Sequence, residues 1–396
     1  MYFEKDRRKS KIINFKYNII FLLKYSIILF YFIPGYHIYN SRNENRALFL
    51  NNNEIRLKIA GPGNYSLINP NFINRISSIY LDNNAIEISS SIDLPNSIHN
   101  IKLSFSNSLT SCGNMFKSCS KIIEIDLSDF ISTNVTNIDN MFDGCSSLKS
   151  INFGNFQTIK LKNMLFVFRN CVSLETLDLS SFDTSNVQHF HYMFHGCKSL
   201  KYLDLSNFKT TSCVCTNNMF NGCTSITSIN LSSFDTSKVN FMFNMFSNCK
   251  NLTSLDLSSF DTSSVMRIEY MFYGCEKLEF VNFTNANLSD KLQKYDNMIT
   301  GTSKNIAFCF NESNTPILNN LISNYSCSNI ISDCSSDWRK YQQKLVPILN
   351  SCVDDCTSTL HPYEYLGKCY SQCQNVNNNN YLCYNCESDC KECNYN

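Results

Sequence analysis

The stretch that decides the fold is MFHGCKSLKYLDLSNF, residues 193–208. A phrase of the form Met-Phe-x-Gly-Cys recurs on both sides of it at a fixed interval. Its cysteines are Cys119, Cys145, Cys171, Cys197, Cys223, Cys249 and Cys275, each 26 residues after the previous one. A period of about 20–29 residues indicates a solenoid, in which every coil stacks on its neighbours.

One repeat contains the parts of a complete coil. The spacing L-x-x-L-x-L-x-x-F is typical of the strand in a leucine-rich repeat, and it is formed by Leu200, Leu203, Leu205 and Phe208. Upstream, apolar residues from Val187 to Cys197 recur at three- and four-residue steps, which predicts a short helix. The sequence therefore predicts an α/β repeat fold, a leucine-rich-repeat-type solenoid with one parallel strand and one short helix per coil.

Two columns of the repeat predict the ends of that helix. A column of hydroxyl side chains, suited to an N-cap, consists of Ser132, Thr158, Thr184, Thr210, Thr236 and Thr262. The residues before the repeat cysteines tolerate a left-handed C-cap, and they are Ser118, Gly144, Asn170, Gly196, Gly222, Asn248 and Gly274. The repeat cysteines, with Cys112 and Cys213, are expected to be buried free thiols rather than a ladder of disulfides.

The repeat divides the chain into segments. Residues 1–36 join a basic start to an apolar stretch, which predicts a secretory signal peptide. An uncleaved signal anchor is the alternative, and it would be the only membrane contact. The following segments are irregular N-terminal capping repeats at 37–100, with degenerate strands at 55–57, 79–81 and 101–103, the 26-residue repeats at 101–290, and a C-terminal cap at 291–345.

The tail, residues 346–396, is predicted to be a small disulfide-rich module. The chain has 21 Cys, which together with the signal segment favours an oxidising compartment. The pattern C-x2-C-x3-C-x2-C at 383–393 leaves too few residues between its pairs for a zinc ribbon, so a metal site is the weaker alternative. The disulfide candidates are Cys309, Cys327, Cys334, Cys352, Cys356, Cys369, Cys373, Cys383, Cys386, Cys390 and Cys393.

The repeat phrase NMFxGCxSLxxLDLSSFDTSNV resembles the BspA-like leucine-rich-repeat surface proteins, in the variant of mycoplasma surface lipoproteins. The resemblance covers about residues 101–290. It implies a secreted or surface-displayed protein that is linked to adhesion, and a binding scaffold rather than an enzyme.

The strand face of the solenoid is the candidate binding site. Alternate residues of each strand point away from the core, so they form outward columns. We expect this face to bind an extracellular protein or glycan through Glu124, Asp126, Thr176, Asp178, Ser180, Tyr202, Asp204, Ser206, Asn230, Asp256, Phe280 and Asn282. No metal site is predicted. Asn residues are interspersed with Asp in the outward strand column and reduce the carboxylate repulsion that a bound Ca²⁺ could also reduce. His191 and His195 have the spacing of a metal pair on a helix, but they lie on a solvated face.

The remaining observations exclude other classes of function. The net charge is +1 and 17% of residues are charged, which excludes a basic surface for nucleic acid. The sequence has no P-loop, G-x-S-x-G or H-E-x-x-H motif, and no histidine has an obvious Ser or Cys partner, so neither catalysis nor a cofactor is expected. The sequence therefore predicts an extracellular or cell-surface binding scaffold, with a passive structural coat as the alternative.

Overall fold

The structure is a computed structural model. It describes residues 53–286, 288, 291–304 and 306–310, together with the backbone of seven short strands beyond residue 310. The predicted signal segment at 1–36 lies outside the described residues. In the part of the chain that is described, no helix has the length and apolar character needed to cross a bilayer.

The described residues form strands and turns. The N-terminal strands are β1 (Glu54–Ala60), β2 (Gly63–Ser66), β3 (Ile76–Leu81), β4 (Asn84–Ile86), β5 (Ser91–Leu94) and β6 (Ile98–Phe105). The repeat region contains β7 (Ile122–Asp126), β8 (Ser150–Asn152), β9 (Tyr202–Asp204), β10 (Ser228–Asn230), β11 (Ser254–Asp256), β12 (Phe280–Phe283) and β13 (Ala307–Phe310). The later strands are β14 (Asn329–Ile331), β15 (Lys344–Val346), β16 (Ser351–Val353), β17 (Tyr363–Tyr365), β18 (Lys368–Tyr370), β19 (Asn375–Val376) and β20 (Asn380–Tyr381). The single helical element among the described residues is a short 3-10 helix, Pro70–Arg75.

The predicted helix of each coil is wrong, because this segment is a run of consecutive β-turns. The N–H of Met219 donates to the C=O of Thr216, three residues back, at 3.2 Å. Alternate N–H groups donate instead to the next coil, as that of Gly222 does to the C=O of Ser247 at 2.8 Å. An α-helix would bond each N–H four residues back. The fold is therefore a β-solenoid and not an α/β repeat.

Left-handed residues explain why no helix forms. In one coil Asn218 and Gly222 have φ of 57° and 77°. The same two columns have positive φ in the other coils, at Asn114, Ser118, Asn140, Gly144, Phe166, Asn170, Tyr192, Gly196, Asn244, Asn248, Tyr270 and Gly274. A right-handed helix cannot contain such residues. The second column is left-handed, as its Gly and Asn residues suggested, but it closes a turn rather than a helix.

The hydroxyl column joins neighbouring coils instead of capping a helix. Thr184 Oγ1 donates to the C=O of Lys209 at 3.1 Å and accepts the N–H of the same residue at 2.8 Å. Thr158 forms the same two bonds with the backbone of Asp183. Both hydroxyls are buried. Each therefore satisfies two backbone groups at a corner of the next coil.

Ladders of like side chains fill the core. Neighbouring rings stack with centroid distances between 5.4 and 6.0 Å along Phe116, Phe142, Phe168, Phe194, Phe220, Phe246 and Phe272. The cysteines from Cys112 to Cys275 are buried free thiols, which confirms that prediction. The Cys197 thiol donates to the C=O of Phe168 at 3.1 Å, so it packs as a small hydrophobe and also satisfies a carbonyl.

Four of the N-terminal strands, β1, β3, β4 and β6, cover the first coil as an antiparallel sheet, and β2 pairs with β5 in a separate one. β1 lies between β6 and β7 and is antiparallel to both, in the strand order β4-β3-β6-β1-β7-β8. The strands expected at 55–57, 79–81 and 101–103 are present, but they are not degenerate coils, because stacked coils would pair in parallel. β1 thus covers the edge that β7 would otherwise expose.

The strands of the coils pair in parallel, but in separate sheets. β7 pairs with β8, β9 pairs with β10, and β11 to β14 form a third sheet. Residues 175–179, between β8 and β9, form no strand. The coil pattern continues past residue 290, with positive φ at Asn297 and Gly301 and with β13 parallel to β12. A further coil therefore occupies part of the segment predicted to be a cap.

The described residues do not support the predicted disulfide-rich module. The ten cysteines between residues 112 and 275 are free. Cys309, on β13, is disulfide-bonded. The other disulfide candidates lie outside the residues whose side chains are described. Within 346–396 the structure gives the backbone of β16 to β20, with β17 antiparallel to β18 and β19 antiparallel to β20.

Candidate binding face

The strand face presents a column in which Asp and Asn side chains lie next to one another. Strand register places Asp126 beside Asn152, and the Asn152 amide donates to the Asp126 carboxylate at 3.0 Å. In the same way Asp204 lies beside Asn230, and Asp256 beside Asn282. An amide next to each of these carboxylates reduces the repulsion that a stack of Asp would create.

Each side chain of this column also closes the turn after its own strand. Asp204 Oδ1 accepts the N–H of Ser206 at 2.9 Å, and Asn230 Oδ1 accepts that of Ser232 at 3.2 Å. These are Asx turns, in which a carboxylate and an amide oxygen serve equally well. The column therefore has a structural role besides any role in binding, and this role explains why Asp and Asn interchange.

Hydrogen bonds lower the pKa of carboxylates on this face. The main cause is the backbone N–H of Ser206 for Asp204 and the hydroxyl of Ser180 for Asp178. Burial raises the pKa of Asp126, but hydrogen bonds from Ser128 and the nearby Arg56 guanidinium outweigh that effect. These carboxylates are therefore ionised at neutral pH.

The strand face contains a cavity between two neighbouring coils, which we call the strand-face cavity. Its volume is about 480 Å³, within the range of small-ligand sites. Six predicted binding residues line it: Thr176, Asp178, Ser180, Tyr202, Asp204 and Ser206. It lies where residues 175–179 form no strand. Leu177 is only partly buried there, whereas Leu203 in the same column is fully buried.

A larger ring lies beneath this coil. Phe153 occupies a column that holds Leu in five coils and Phe in one more: Leu127, Leu179, Leu205, Leu231, Leu257 and Phe283. Its ring contacts Phe182 edge-on, with the centroids 4.8 Å apart. Phe283 fills the same column while β12 still pairs with β11 and β13, so the size of this ring alone does not open a gap between coils.

The two aromatic candidates differ in accessibility. Tyr202 is 52% exposed at the strand-face cavity. Phe280 is 8% exposed and packs with Ala307 and Cys309, so the expectation that it contacts a partner is wrong. The reason is that β13, in the segment predicted to be a cap, pairs with β12 and covers Phe280.

The other candidates lie outside the strand-face cavity. Asn230, Asp256 and Asn282 continue the column on β10, β11 and β12. Glu124 and Asp126, on β7, line a second cavity of about 520 Å³ where the N-terminal sheet meets the first coil. We call this second cavity the N-terminal bowl. The sequence did not predict it, because it depends on the antiparallel insertion of β1.

A row of register partners crosses the N-terminal bowl: Tyr80, Lys102, Arg56, Asp126 and Asn152. Lys102 Nζ lies 4.3 Å from the centroid of the Tyr80 ring, and Arg56 Nη1 lies 3.6 Å from Asp126 Oδ2. Glu54 is within 3.4 Å of Lys102 Nζ. Because these cations have carboxylate partners, the bowl presents fixed hydrogen-bond donors and acceptors without a strong positive field.

Three histidines lie together in the turn segment of one coil. The Nδ1 atoms of His189, His191 and His195 are buried without a hydrogen-bond partner, and burial lowers the pKa of His191 and His195. Over residues 53–310, apart from the few positions not described, no group of three His, Cys, Asp or Glu is placed to hold a metal ion.

One histidine has a hydroxyl partner that the sequence did not predict. His99 lies between Ser97 and Asp82, within hydrogen-bond distance of both. Ser97 and His99 are two residues apart, but Asp82 reaches them only through the pairing of β3 with β6. A motif search cannot detect such a cluster, because strand pairing creates it.

The family comparison matches the repeat region. The sequence is similar to the family described as "Mycoplasma protein of unknown function, DUF285" over residues 110–228 and 201–309. Together the two matches span 110–309, which is 200 of the 396 residues. A comparison with curated proteins found no match.

Proposed function

The chain belongs to the family described as mycoplasma proteins of unknown function, DUF285, and from that premise we propose that it is a secreted or cell-surface solenoid that binds an extracellular protein or glycan through its strand face. The binding function requires no cofactor. The adhesive role of the BspA-like surface proteins, which the repeat phrase resembles, supports the same proposal.

The strand-face cavity is the observation that carries this proposal. It gathers hydroxyl, carboxylate and phenol groups from two coils around the partly buried Leu177. A concave site with an apolar base and a few fixed polar groups is the usual form of a binding pocket. The Asx turns hold the carboxylates in one orientation, which lowers the entropy cost of binding.

The residue types on the strand face favour several weak contacts over one tight contact. Tight protein interfaces concentrate their energy in Trp, Tyr and Arg anchors, and the strand-face cavity contains Tyr202 but neither of the other two types. A solenoid displayed in many copies gains strength from multivalency instead. The N-terminal bowl, with its paired charges and amide groups, suits the hydroxyl groups of a glycan.

Binding of the full-length chain to cells and to immobilised glycans tests the proposal. The wild-type chain should bind saturably in the micromolar range. Tyr202→Ala should weaken binding about tenfold or more, because it removes the exposed ring at the strand-face cavity. Tyr270→Ala is the matched control, because Tyr270 is 38% exposed but lies in the turn segment rather than on the strand face.

The binding measurements also distinguish a binding scaffold from a passive structural coat. An absence of saturable binding by the wild-type chain at any surface density would favour the passive structural coat over the binding scaffold. If Tyr202→Ala and Tyr270→Ala weaken binding equally, the strand face is not the recognition surface.

A further inference from the structure

Ser97, His99 and Asp82 form a continuous hydrogen-bonded chain at the start of β6. Ser97 Oγ lies 2.6 Å from His99 Nε2, and His99 Nδ1 lies 2.7 Å from Asp82 Oδ2. The carboxylate can only accept, so in the neutral ring, the form that acts as a base, Nδ1 carries the proton and Nε2 accepts the hydroxyl proton of Ser97. Both bonds therefore have the direction needed to draw a proton from the serine.

Asp82 is also held from a second side. Its Oδ1 accepts the N–H of Asn100 at 2.9 Å, and its own N–H donates to the C=O of Asn100 at 2.9 Å. The hydrogen bond from His99 is the main cause that lowers the pKa of Asp82. Asp82 and Asn83 have φ of 46° and 71°, as the two-residue hairpin turn between β3 and β4 requires, so this turn fixes the position of the Asp82 carboxylate.

Solvent exposure increases from His99 to Ser97, as an accessible nucleophile with a fixed base requires. His99 is 8% exposed, so packing fixes its ring, whereas Ser97 is exposed. The backbone of Ser97 is fixed as well, because its N–H donates to Pro95 and its C=O accepts from Gly61, at 2.9 and 2.8 Å. A solvent-open hydroxyl, a fixed base and an orienting carboxylate are the parts of an activated serine.

We propose that Ser97 is an activated nucleophile that cleaves carboxylic esters, with His99 as its general base and Asp82 as the residue that positions the imidazole. Ser97 Oγ bonds to the ester carbonyl carbon while its proton moves to His99 Nε2. The bond from that carbon to the alcohol oxygen breaks, and the alcohol leaves with the proton. Water then releases the carboxylic acid by the same two transfers and restores Ser97.

This activity is independent of the proposed binding function. Asn100, the residue after His99, lines the N-terminal bowl, while His99 is buried on the other face of β6. Successive residues of a strand point to opposite faces. Substitution of Ser97 or His99 therefore removes no side chain that lines either cavity.

Covalent labelling of the full-length chain tests the proposal. A fluorophosphonate probe should transfer its phosphonyl group to Ser97 Oγ with release of fluoride, and peptide mapping should locate the adduct. The same protein should hydrolyse p-nitrophenyl acetate. Ser97→Ala should abolish both signals, whereas Ser106→Ala, at another exposed serine, should change neither.

The partner residues give the sharper test. His99→Asn should slow labelling about 100-fold, the usual contribution of a general base. Asp82→Asn keeps an acceptor for the Asn100 N–H and a residue that tolerates positive φ, yet it should also slow labelling. The urea midpoint of each variant is measured alongside. If His99→Asn lowers the urea midpoint, the test rests on Asp82→Asn. Slower labelling of Asp82→Asn at an unchanged urea midpoint would support activation of Ser97, because a purely structural bond would not change the labelling rate of a stable fold.

Two results would overturn the proposal. One is a folded wild-type chain that carries no adduct on Ser97. The other is labelling of Ser97 at the wild-type rate in Asp82→Asn, which would show that the cluster only fastens β6 to the turn after β3.

Discussion

Thr184 shows how single side chains hold neighbouring coils together. Its hydroxyl both donates to and accepts from the backbone of Lys209 in the next coil. The residue is fully buried, so no water replaces either bond. A buried backbone group that loses its partner costs about 1–3 kcal/mol. The hydroxyls of Thr158, Thr184 and Thr210, which form both bonds, are therefore expected to contribute to stability, whereas the buried Thr262 hydroxyl has no hydrogen-bond partner among the described residues.

Removal of one hydroxyl should have a measurable cost. Thr184→Val keeps the volume but loses both bonds, so we expect the free energy of unfolding to fall by about 1–3 kcal/mol. Thr184→Ser keeps the hydroxyl and should lose about 1 kcal/mol or less. Urea denaturation of the full chain measures both. Equal stability of Thr184→Val and the wild type would contradict the assigned bonds.

The buried thiols make stability depend on pH. Burial raises the pKa of Cys112, Cys213, Cys223 and Cys275 from 9.0 to about 12. Because only the unfolded thiols ionise in this range, their stabilisation is complete below pH 9 and is lost as the pH rises towards 12. Each thiol should change the free energy of unfolding by about −1.4 kcal/mol per pH unit.

Urea midpoints of the reduced full-length chain across this alkaline range measure that slope. Cys223→Ala should reduce the magnitude of this slope by the contribution of one thiol. A slope that does not change in Cys223→Ala would mean that the folded Cys223 ionises as readily as the unfolded one.

At the scale of the element, the turn segment depends on residues that accept positive φ. A Cβ added at Gly222 would meet the Gly196 backbone no closer than 3.6 Å, so space is available. Its φ of 77° is nevertheless unfavourable for Ala. Asn170 and Asn248 hold the same column with φ of 59° each. The cost of a substitution here is therefore conformational rather than steric.

Gly222→Ala and Gly222→Asn separate these two causes. We expect Gly222→Ala to lose about 1–2 kcal/mol of unfolding free energy, and Gly222→Asn to lose clearly less, although Asn is larger. Thermal or urea unfolding of the full chain gives the comparison. A greater loss for Asn than for Ala would show that space, not φ, limits this position.

The sequence predicted the elements only in part, and the turn segment shows why. The 26-residue period and the buried columns are direct consequences of stacking, so the solenoid and its core could be predicted. Apolar spacing of three and four residues does not distinguish a helix from consecutive turns, because both bring those side chains inward. The distinguishing signal was the second Asn-rich column, at Asn114, Asn140, Asn218 and Asn244, which lies four residues before the Gly and Asn column.

The candidate site was predictable to a similar degree. Alternation along each strand correctly placed Tyr202 and Asp204 on the outer face. The strand-face cavity depends on a gap between coils, and the serine cluster on the pairing of β3 with β6. Such long-range geometry has no periodic signal in the sequence.

At the scale of the whole molecule, the proposed function requires an extracellular chain. Protease treatment of intact cells that express the chain with a tag after Asn396 tests this requirement. Loss of the tag from the cells would indicate a tethered, outward display, and tag in untreated medium would indicate secretion. A tag that stays protected inside the cells would contradict the proposed location.

Every proposal for the strand face depends on coils made of turns, so the most direct test is nuclear magnetic resonance of the labelled full-length chain over residues 213–223. The account predicts left-handed φ at Asn218 and Gly222, and a scalar coupling across the hydrogen bond from the Gly222 N–H to the Ser247 C=O, which are 2.8 Å apart. Continuous right-handed helical shifts over 213–223, without that coupling, would contradict it.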